Sequence, residues 1–372
     1  MRLARPPHFR LKPLLLAIGL VAGGGSAHAT SALGVAGGFN VFLFGNSNQT
    51  SDTQGRIAVG GNATFTNMPV GDLTYGSEPT LVVGGDLTYT NATLRPGSNI
   101  VVGGNASLGN LRLDGNLSAG GSVTLAPAGQ INGNVTYGSN FGKTSSFTLN
   151  GSATQGSTTL PVDFAAARGE LTALSAAQVD AADPTAGLQW GALMVNAGGA
   201  APGSTSFFNV SADSFNHAYS GFSIFAPAGA TVVINVAGSS LSMPNTGFSS
   251  AGGITLDHVL FNLYEATSLT FQGSAHGSFL APLADVTAGW GGFNGTLIAN
   301  SLSGAGGAAS GLEFHVRDFG SGPNTLFSGG GLRDVTAAVP EPSSLALMVA
   351  GVGALGAQRR RRMAARARSL AA

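Results

Sequence analysis

The chain of 372 residues contains no cysteine. Disulfides, thiolate metal sites and thiol nucleophiles are excluded, so core packing and backbone ladders must hold the fold. Charge is scarce: Asp, Glu, Lys and Arg together make 9% of the residues. Scarce charge predicts disorder only where apolar content is also low, and here it is 43%. Long apolar runs are missing too. The two that stand out, residues 14–22 and 345–357, fall short of the roughly 20 residues of a membrane-spanning helix. There is no Walker loop, no G-x-S-x-G elbow and no H-E-x-x-H pair. The string Gly351-Val352-Gly353-Ala354-Leu355-Gly356 fits G-x-G-x-x-G, but no strand precedes it and no βαβ unit surrounds it.

Glycine is abundant, at 58 residues, and it falls in a repeat. Ile57-Ala58-Val59-Gly60-Gly61-Asn62-Ala63-Thr64 returns as Leu81-Val82-Val83-Gly84-Gly85-Asp86-Leu87-Thr88 and as Ile100-Val101-Val102-Gly103-Gly104-Asn105-Ala106-Ser107. A worn copy follows at Leu117-Ser118-Ala119-Gly120-Gly121-Ser122-Val123-Thr124, and a fragment at Ile131-Asn132-Gly133-Asn134-Val135-Thr136. Short β-branched runs joined by Gly-Gly-Asn/Asp turns, recurring about every 17 to 24 residues, are the pattern of a parallel β-solenoid. Within the runs Thr64/Thr66 and Thr88/Thr90 alternate with Phe65 and Tyr89, so one set of side chains faces inward and the other faces solvent. The corner glycines are expected to supply positive φ.

Pro161 to Val179 changes period. Phe164, Ala167, Leu171, Leu174 and Gln178 fall at helical spacing, with Pro161 suited to the first turn and Asp183-Pro184 closing the segment. This predicts one α-helix, at about 161–179, covering a solenoid face. Strands resume at 207–210, 222–225, 231–236, 254–264 and 269–272. Gly277-Ser278-Phe279-Leu280-Ala281 and Gly295-Thr296-Leu297-Ile298-Ala299 share a pattern expected of adjacent coils. The second half therefore reads as more of the same solenoid, with a separate domain over 190–320 as the alternative. The opening segment, 33–45, reads as a glycine-bounded strand.

The formal net charge is zero, but the basic residues crowd the two ends. Between them the acidic residues outnumber Arg56, Arg95, Arg112, Lys143, Arg168, Arg317 and Arg333. An acidic domain argues against nucleic acid or an anionic membrane surface as its ligand. Residues 1–29 have a basic start, an apolar run and the small-residue ending Ala27-His28-Ala29, which is a secretory signal with cleavage after Ala29. Residues 30–320 form the solenoid domain and 321–338, rich in Gly and Ser, a linker. Residues 339–372 form a tail: Pro340, Glu341 and Pro342, the apolar run, then Arg359, Arg360, Arg361 and Arg362, which would hold that end in the cytoplasm.

His217, His258, His276 and His315 are scattered along the chain. To hold a metal, Asp257-His258 and His276 would need to meet on stacked coils; the expectation is ordinary hydrogen bonding instead. Asn62, Asp86, Asn105 and Asp114 invite calcium, yet their spacing matches neither an EF-hand nor the nonapeptide calcium repeat, and Asn and Asp are common turn formers. No metal and no cofactor are expected.

The tail, from Pro340 to about Arg362, resembles the PEP-CTERM sorting signal of Gram-negative bacteria. Met363 to Ala372 run beyond the usual end. That resemblance implies processing by an exosortase, a membrane transpeptidase-like enzyme. The mature chain resembles the choice-of-anchor A family of exported bacterial proteins, over about 33–319. The residues that carry it are Gly37-Gly38-Phe39-Asn40-Val41-Phe42, Asp52-Thr53-Gln54-Gly55-Arg56-Ile57-Ala58-Val59-Gly60-Gly61-Asn62, and Asn294-Gly295-Thr296-Leu297-Ile298-Ala299-Asn300-Ser301-Leu302. Some members of that family have been likened to collagen-binding adhesins. In architecture alone, a solenoid with a helix alongside is similar to bacterial ice-binding proteins.

The expectation is a non-enzymatic, exported protein with a structural or adhesive role at the surface or in the exopolysaccharide matrix. It would touch the membrane through its tail before processing. An ice- or glycan-binding module using Thr-bearing strands is the first alternative. An enzyme acting on polysaccharide is the second, although the sequence shows no acidic cluster of the kind such enzymes gather in a groove.

Overall fold

The computed structural model describes residues 31–74, 77–317 and 324–335. The secretory signal and the sorting tail lie outside these residues. The described chain is a parallel β-solenoid of three faces with one long helix alongside.

On the first face the strands are Val41–Leu43, Ile57–Val59, Leu81–Val83, Ile100–Val102, Leu117–Ala119, Val135–Tyr137 and Ala153–Gln155, each pairing in parallel with the next. The chain then leaves this end through residues 156–163 and the helix α1 (Phe164–Ala177). It re-enters at the far end of the column with Thr205–Val210, and builds back through Thr231–Val236, Val259–Asn262, Ser278–Ala288 and Leu297–Gly304. The last of these pairs with the first strand of the described residues: Val41 lies opposite Leu297, Phe42 opposite Ile298 and Leu43 opposite Ala299. Val41–Leu43 thus lies in the middle of the column, and the halves expected to be one solenoid form one continuous ladder. Phe279 lies opposite Leu297 and Ala281 opposite Ala299, so the two look-alike segments are indeed neighbouring coils.

The Gly-Gly corners have a different cause from the one expected. Gly60, Gly61, Gly84, Gly85, Gly103 and Gly104 do not have positive φ; one corner later it is Asn67, Asn91 and Asn110 that do, at 59°, 59° and 49°. Asparagine tolerates this conformation because its short amide side chain bonds locally. The glycines are there for space. A Cβ on Gly84 would lie 2.4 Å from the carbonyl oxygen of Gly60, and one on Gly103 2.3 Å from that of Gly84. The second glycine of each pair makes room for a side chain. A Cβ on Gly85 would meet Asn62 Oδ1 at 2.3 Å. That oxygen accepts from the backbone N–H of Asp86 at 2.9 Å; Asp86 Oδ1 accepts from Asn105 N–H at 2.7 Å, and Asn105 Oδ1 from Ser122 N–H at 2.8 Å. Each Asn/Asp caps the corner of the next coil. A second such ladder, from Asn99 through Asn116 and Asn134 to Ser152, climbs another corner.

Helix α1 is capped by Asp163, whose Oδ1 accepts from Ala165 and Ala166 N–H at 3.1 and 3.0 Å. Ala167, Leu171 and Ser175 are its buried residues. Ala167 and Leu171 pack, with Val162, on the outward side chains of the first face: Phe42, Ala58, Val82, Val233, Leu260, Leu280 and Ile298. About three helical residues span one coil, because a rise of roughly 1.5 Å per residue meets a strand spacing of roughly 4.8 Å. The contacts keep that step. Arg168 bonds Asn300, Ser175 bonds Asn262 at 2.6 Å, and the Gln178 carbonyl accepts from Asn235 at 2.9 Å. Asn209, Asn235 and Asn262 are register partners on successive coils. Their amides donate to carbonyls at and just past the end of the helix: Asn262 Nδ2 to Ser175 O at 2.8 Å, Asn235 Nδ2 to Gln178 O at 2.9 Å and Asn209 Nδ2 to Asp180 O at 2.7 Å. A second helix, α2 (Ala212–Asn216), is one turn long.

Two further segments differ from expectation. Residues 34–38 form a 3-10 turn, leaving only Val41–Leu43 of the opening segment as strand. Within the segment expected to be a linker, 324–335 packs on the column. Phe327 and Thr325 are buried, and Arg333 makes a two-point ion pair with Asp183 at 2.6 and 2.8 Å while lying 3.8 Å over the Phe207 ring.

Candidate functional site

The second face of the column carries a regular polar surface of hydroxyls. Strands such as Ala63–Thr66, Leu87–Thr90 and Val123–Leu125 alternate between buried and outward side chains. Phe65, Tyr89, Leu108 and Leu125 point inward and are fully buried, while Thr64, Thr88, Ser107 and Thr124 point out and are exposed. Register stacks the outward residues into one row: Asn48 on Thr64, Thr64 on Thr88, Thr88 on Ser107, Ser107 on Thr124. In the other half of the column Ser242 lies on Thr270, Thr270 on Thr287 and Thr287 on Ser303, all half-buried. Ser47 pairs with Leu302 where the halves meet, so both rows belong to one face. Beside them run Thr66 on Thr90, with hydroxyls 3.2 Å apart, and Ser240 on Ser268, Asp285 and Ser301. The result is a lattice of hydroxyls, roughly 4.8 Å apart along the column and 6.7 Å along each strand. It bears two carboxylates along one edge: Asp285, which accepts from Asn300 and Ser301 at 2.6 Å each, and Asp86, which accepts from Asn105 N–H in the corner cap. Such a face offers many weak hydrogen bonds to a flat, uncharged, repeating surface.

Its rigidity comes from what lies behind it. Tyr89 donates its buried hydroxyl to Met68 O at 2.7 Å, and burial pushes the phenol's pKa well above its ordinary range. In the other half the rings of Phe261 and Phe279, on adjacent coils, stack at 4.7 Å, and Phe271, Phe293 and Phe314 continue the pile. Ring stacks and backbone ladders together hold the outward rows in register.

The histidines do not converge. His258 lies against Asp257 at 3.2 Å, His276 against the Phe248 ring and Asn294, His217 beside Asp213 at 3.0 Å, and His315 beside Glu313 at 3.6 Å. Among the described residues no three potential ligands form a metal-binding group. Asn62, Asp86 and Asn105 spend their oxygens on the corner caps, and Asp114 pairs with Arg112 at 3.1 Å on another corner. Asp52 has its pKa raised, by burial first and then by the nearby Glu313 carboxylate. A recess of about 290 Å³ lined by Arg56, Thr74, Arg317 and Asn324 among others has no carboxylate in its wall. The sorting residues Pro340, Glu341 and Pro342, the cleavage residues Ala27 and Ala29, and Arg359 to Arg362 lie outside the described residues. No helix among the described residues is long and apolar enough to cross a membrane.

Sequence reasoning passed over the exposed aromatics Trp190, Tyr219 and Trp290, which stand along a corner of the C-terminal half. The signal was present: both tryptophans of the chain are followed by glycine, a turn pattern.

A family model described as "Putative Ice-binding-like adhesive domain" matches residues 32–315, well over half of the chain. The chain belongs to this family. The match spans both halves of the column and the helix between them. A second model, the PEP-CTERM protein-sorting motif, matches residues 338–362. An ice-binding-like adhesive domain followed by that motif makes this an exported, adhesive cell-surface protein processed by an exosortase. Comparison with curated proteins and with solved structures returns no match.

Proposed function

We propose that the domain is a non-catalytic structural and adhesive element of an exopolysaccharide matrix, at the envelope of a Gram-negative bacterium, with its hydroxyl face as the contact surface. The observation that carries this reading is the row from Thr64 to Thr124, exposed and in register over successive coils. In this reading the signal is cut after Ala29. Exosortase recognises Pro340, Glu341 and Pro342, the apolar run 345–357 holds the tail in the membrane until then, and Arg359 to Arg362 keep its end inside. The likeness to the choice-of-anchor A family is consistent with this, since that family is grouped by its variable anchors.

Deleting residues 339–372 and fractionating the cells tests the sorting step. Loss of the protein from the surface is expected, and unchanged surface retention refutes sorting by the tail. The regular hydroxyl spacing favours a second reading, in which the face binds ice or a glycan through Thr-bearing strands. Thermal hysteresis measured for the wild type and for Thr64→Val with Thr88→Val separates ice from the matrix role. Hysteresis abolished by the double variant selects ice; none in the wild type removes it.

A further inference from the structure

The chain has two tryptophans and both stand in solvent, Trp190 93% exposed and Trp290 61%. Trp190 has φ 49°, a left-handed conformation that bulky residues rarely adopt, and Gly191 follows at φ 79°. This turn joins Gly187–Gln189 to Ala192–Asn196 and projects the indole outward. Because Ala192 is in register with Gly221, Trp190 lies one coil from Tyr219, itself 65% exposed. Asn245 comes next on the same corner, where Thr246 donates its hydroxyl to Tyr219 O at 3.0 Å. Gly273 follows, with room only for hydrogen, since a Cβ there would lie 2.1 Å from Asn245 Oδ1. Trp290 stands on the coil after that, where Phe271 pairs with Ala288. The corner therefore reads Trp190, Tyr219, Asn245, Gly273, Trp290. Tyr219 and Trp290 are three coils apart, about 14 Å at the usual strand spacing.

We propose that this ridge binds a neutral polysaccharide, laid along the column with sugar rings stacked on Trp190, Tyr219 and Trp290 and its hydroxyls bonded by Asn245 and Gln272. The proposal rests on the adhesive reading above and gives it a second, separate contact site. An indole face stacks on the C–H face of a pyranose as it does on other apolar rings. A hexose unit in an extended chain advances by nearly one coil spacing, so aromatics placed in whole-coil steps meet successive or alternate sugars. The short residues Asn245 and Gly273 leave a shallow trough between the outer rings. Gln272 already bonds Ser242 at 2.8 Å, tying the ridge to the hydroxyl face. No ridge residue is charged, which disfavours an anionic polymer or a lipid headgroup. Trp190 and Tyr219 stand on neighbouring coils and Trp290 apart from them across Asn245 and Gly273, which is not the contiguous apolar patch of a protein interface.

The two tryptophans make the test direct, because the indole emission of the purified full-length chain reports on this ridge and on nothing else. Hydroxyethylcellulose, galactomannan and dextran serve as probes, in fluorescence titrations and in affinity gels. A blue shift and retardation with at least one of them is expected. Trp190→Ala with Trp290→Ala should weaken retardation about ten-fold or more, the scale of lost ring stacking, while Trp290→Tyr keeps most of it. Both residues are exposed, so circular dichroism melts should coincide with wild type. No shift and no retardation with any of the three probes overturns the proposal. So does retardation kept by the double alanine variant, or a wild-type dimer or vesicle association that this variant loses. The two readings fail separately. If Thr64→Val with Thr88→Val abolishes retardation and the tryptophan variant does not, the ridge is wrong and the adhesive reading stands. If the protein is missing from the cell surface, the adhesive reading is wrong and the gels still decide the ridge.

Discussion

Asn40 donates its side-chain amide to the carbonyl oxygen of Gly295 at 2.5 Å, across 255 residues of chain. The same amide reaches His315 O at 3.2 Å, and its Oδ1 accepts from Gly55 N–H at 3.3 Å. One fully buried side chain thus bonds the first coil's neighbours on both sides, at the place where the last coil closes on the first. Asn40→Ala leaves these buried groups without partners and should cost about 3 kcal/mol, read as a lowered urea midpoint. A loss under about 0.5 kcal/mol would mean that the closure does not depend on it.

Glycine at the corners is required by space, and substitution distinguishes this from a φ requirement. Gly103→Ala places a methyl 2.3 Å from Gly84 O and should destabilise by about 2 kcal/mol or more. Gly142→Ala, exposed and with nothing within 4 Å of the new Cβ, should lie within about 0.5 kcal/mol of wild type. Equal effects in thermal melts would contradict the stacking account.

Gly169 is in the interior of α1, exposed, with open space where a Cβ would go. Gly169→Ala should stabilise by about 0.5–1 kcal/mol through the helix preference alone. Denaturant titration should show a higher midpoint with an unchanged slope.

Two carboxylates give opposite pH signatures. For Asp257 burial raises the pKa, but hydrogen bonds from Ser328, Thr255 and His258 outweigh it and the net shift is downward. Its contribution is present above the unfolded value near 3.8 and is lost as pH falls through the lower folded value. Asp257→Asn should therefore lower the melting temperature at neutral pH and matter less in strong acid. Asp52 is shifted upward by burial and Glu313, so its ionisation opposes folding as pH rises from 3.8 through the folded value. Asp52→Asn should raise the melting temperature at neutral pH and bring no gain near pH 3.

The repeat Val-Gly-Gly-Asn made the coils legible because each copy meets the same neighbours one coil away. The helix was legible from Phe164, Ala167 and Leu171, though Asp163 proved to be the cap, two residues past Pro161. The order of coils in space was not legible. Val41 and Leu297 pair through backbone groups that every residue has, so nothing in either side chain names the other. For the same reason Ser303 and Asn48 could not be assigned to one face. Asn67, Asn91 and Asn110 did leave a trace, standing at one fixed offset after Gly61, Gly85 and Gly104, which marks them as the left-handed corner. Residues 324–335 read as a linker from composition, and their docking depends on Arg333 finding Asp183 and Phe207, partners far off in the chain.

The single hydroxyl face exists only if the first coil docks on the last, so a cross-link there tests the account most directly. Asn46 O accepts from Leu302 N–H at 3.1 Å, which places Asn46 and Ser301 side by side at the surface of neighbouring coils. At a strand spacing near 4.8 Å their Cα atoms are within disulfide reach. The wild-type chain has no cysteine to interfere. Asn46→Cys with Ser301→Cys should oxidise to an intramolecular disulfide in the monomer, migrate faster on a non-reducing gel and gain up to about 5 kcal/mol on the loop-closure account. A double variant that stays reduced under oxidising conditions, or links only between molecules, would contradict the closed column and the continuous face built on it.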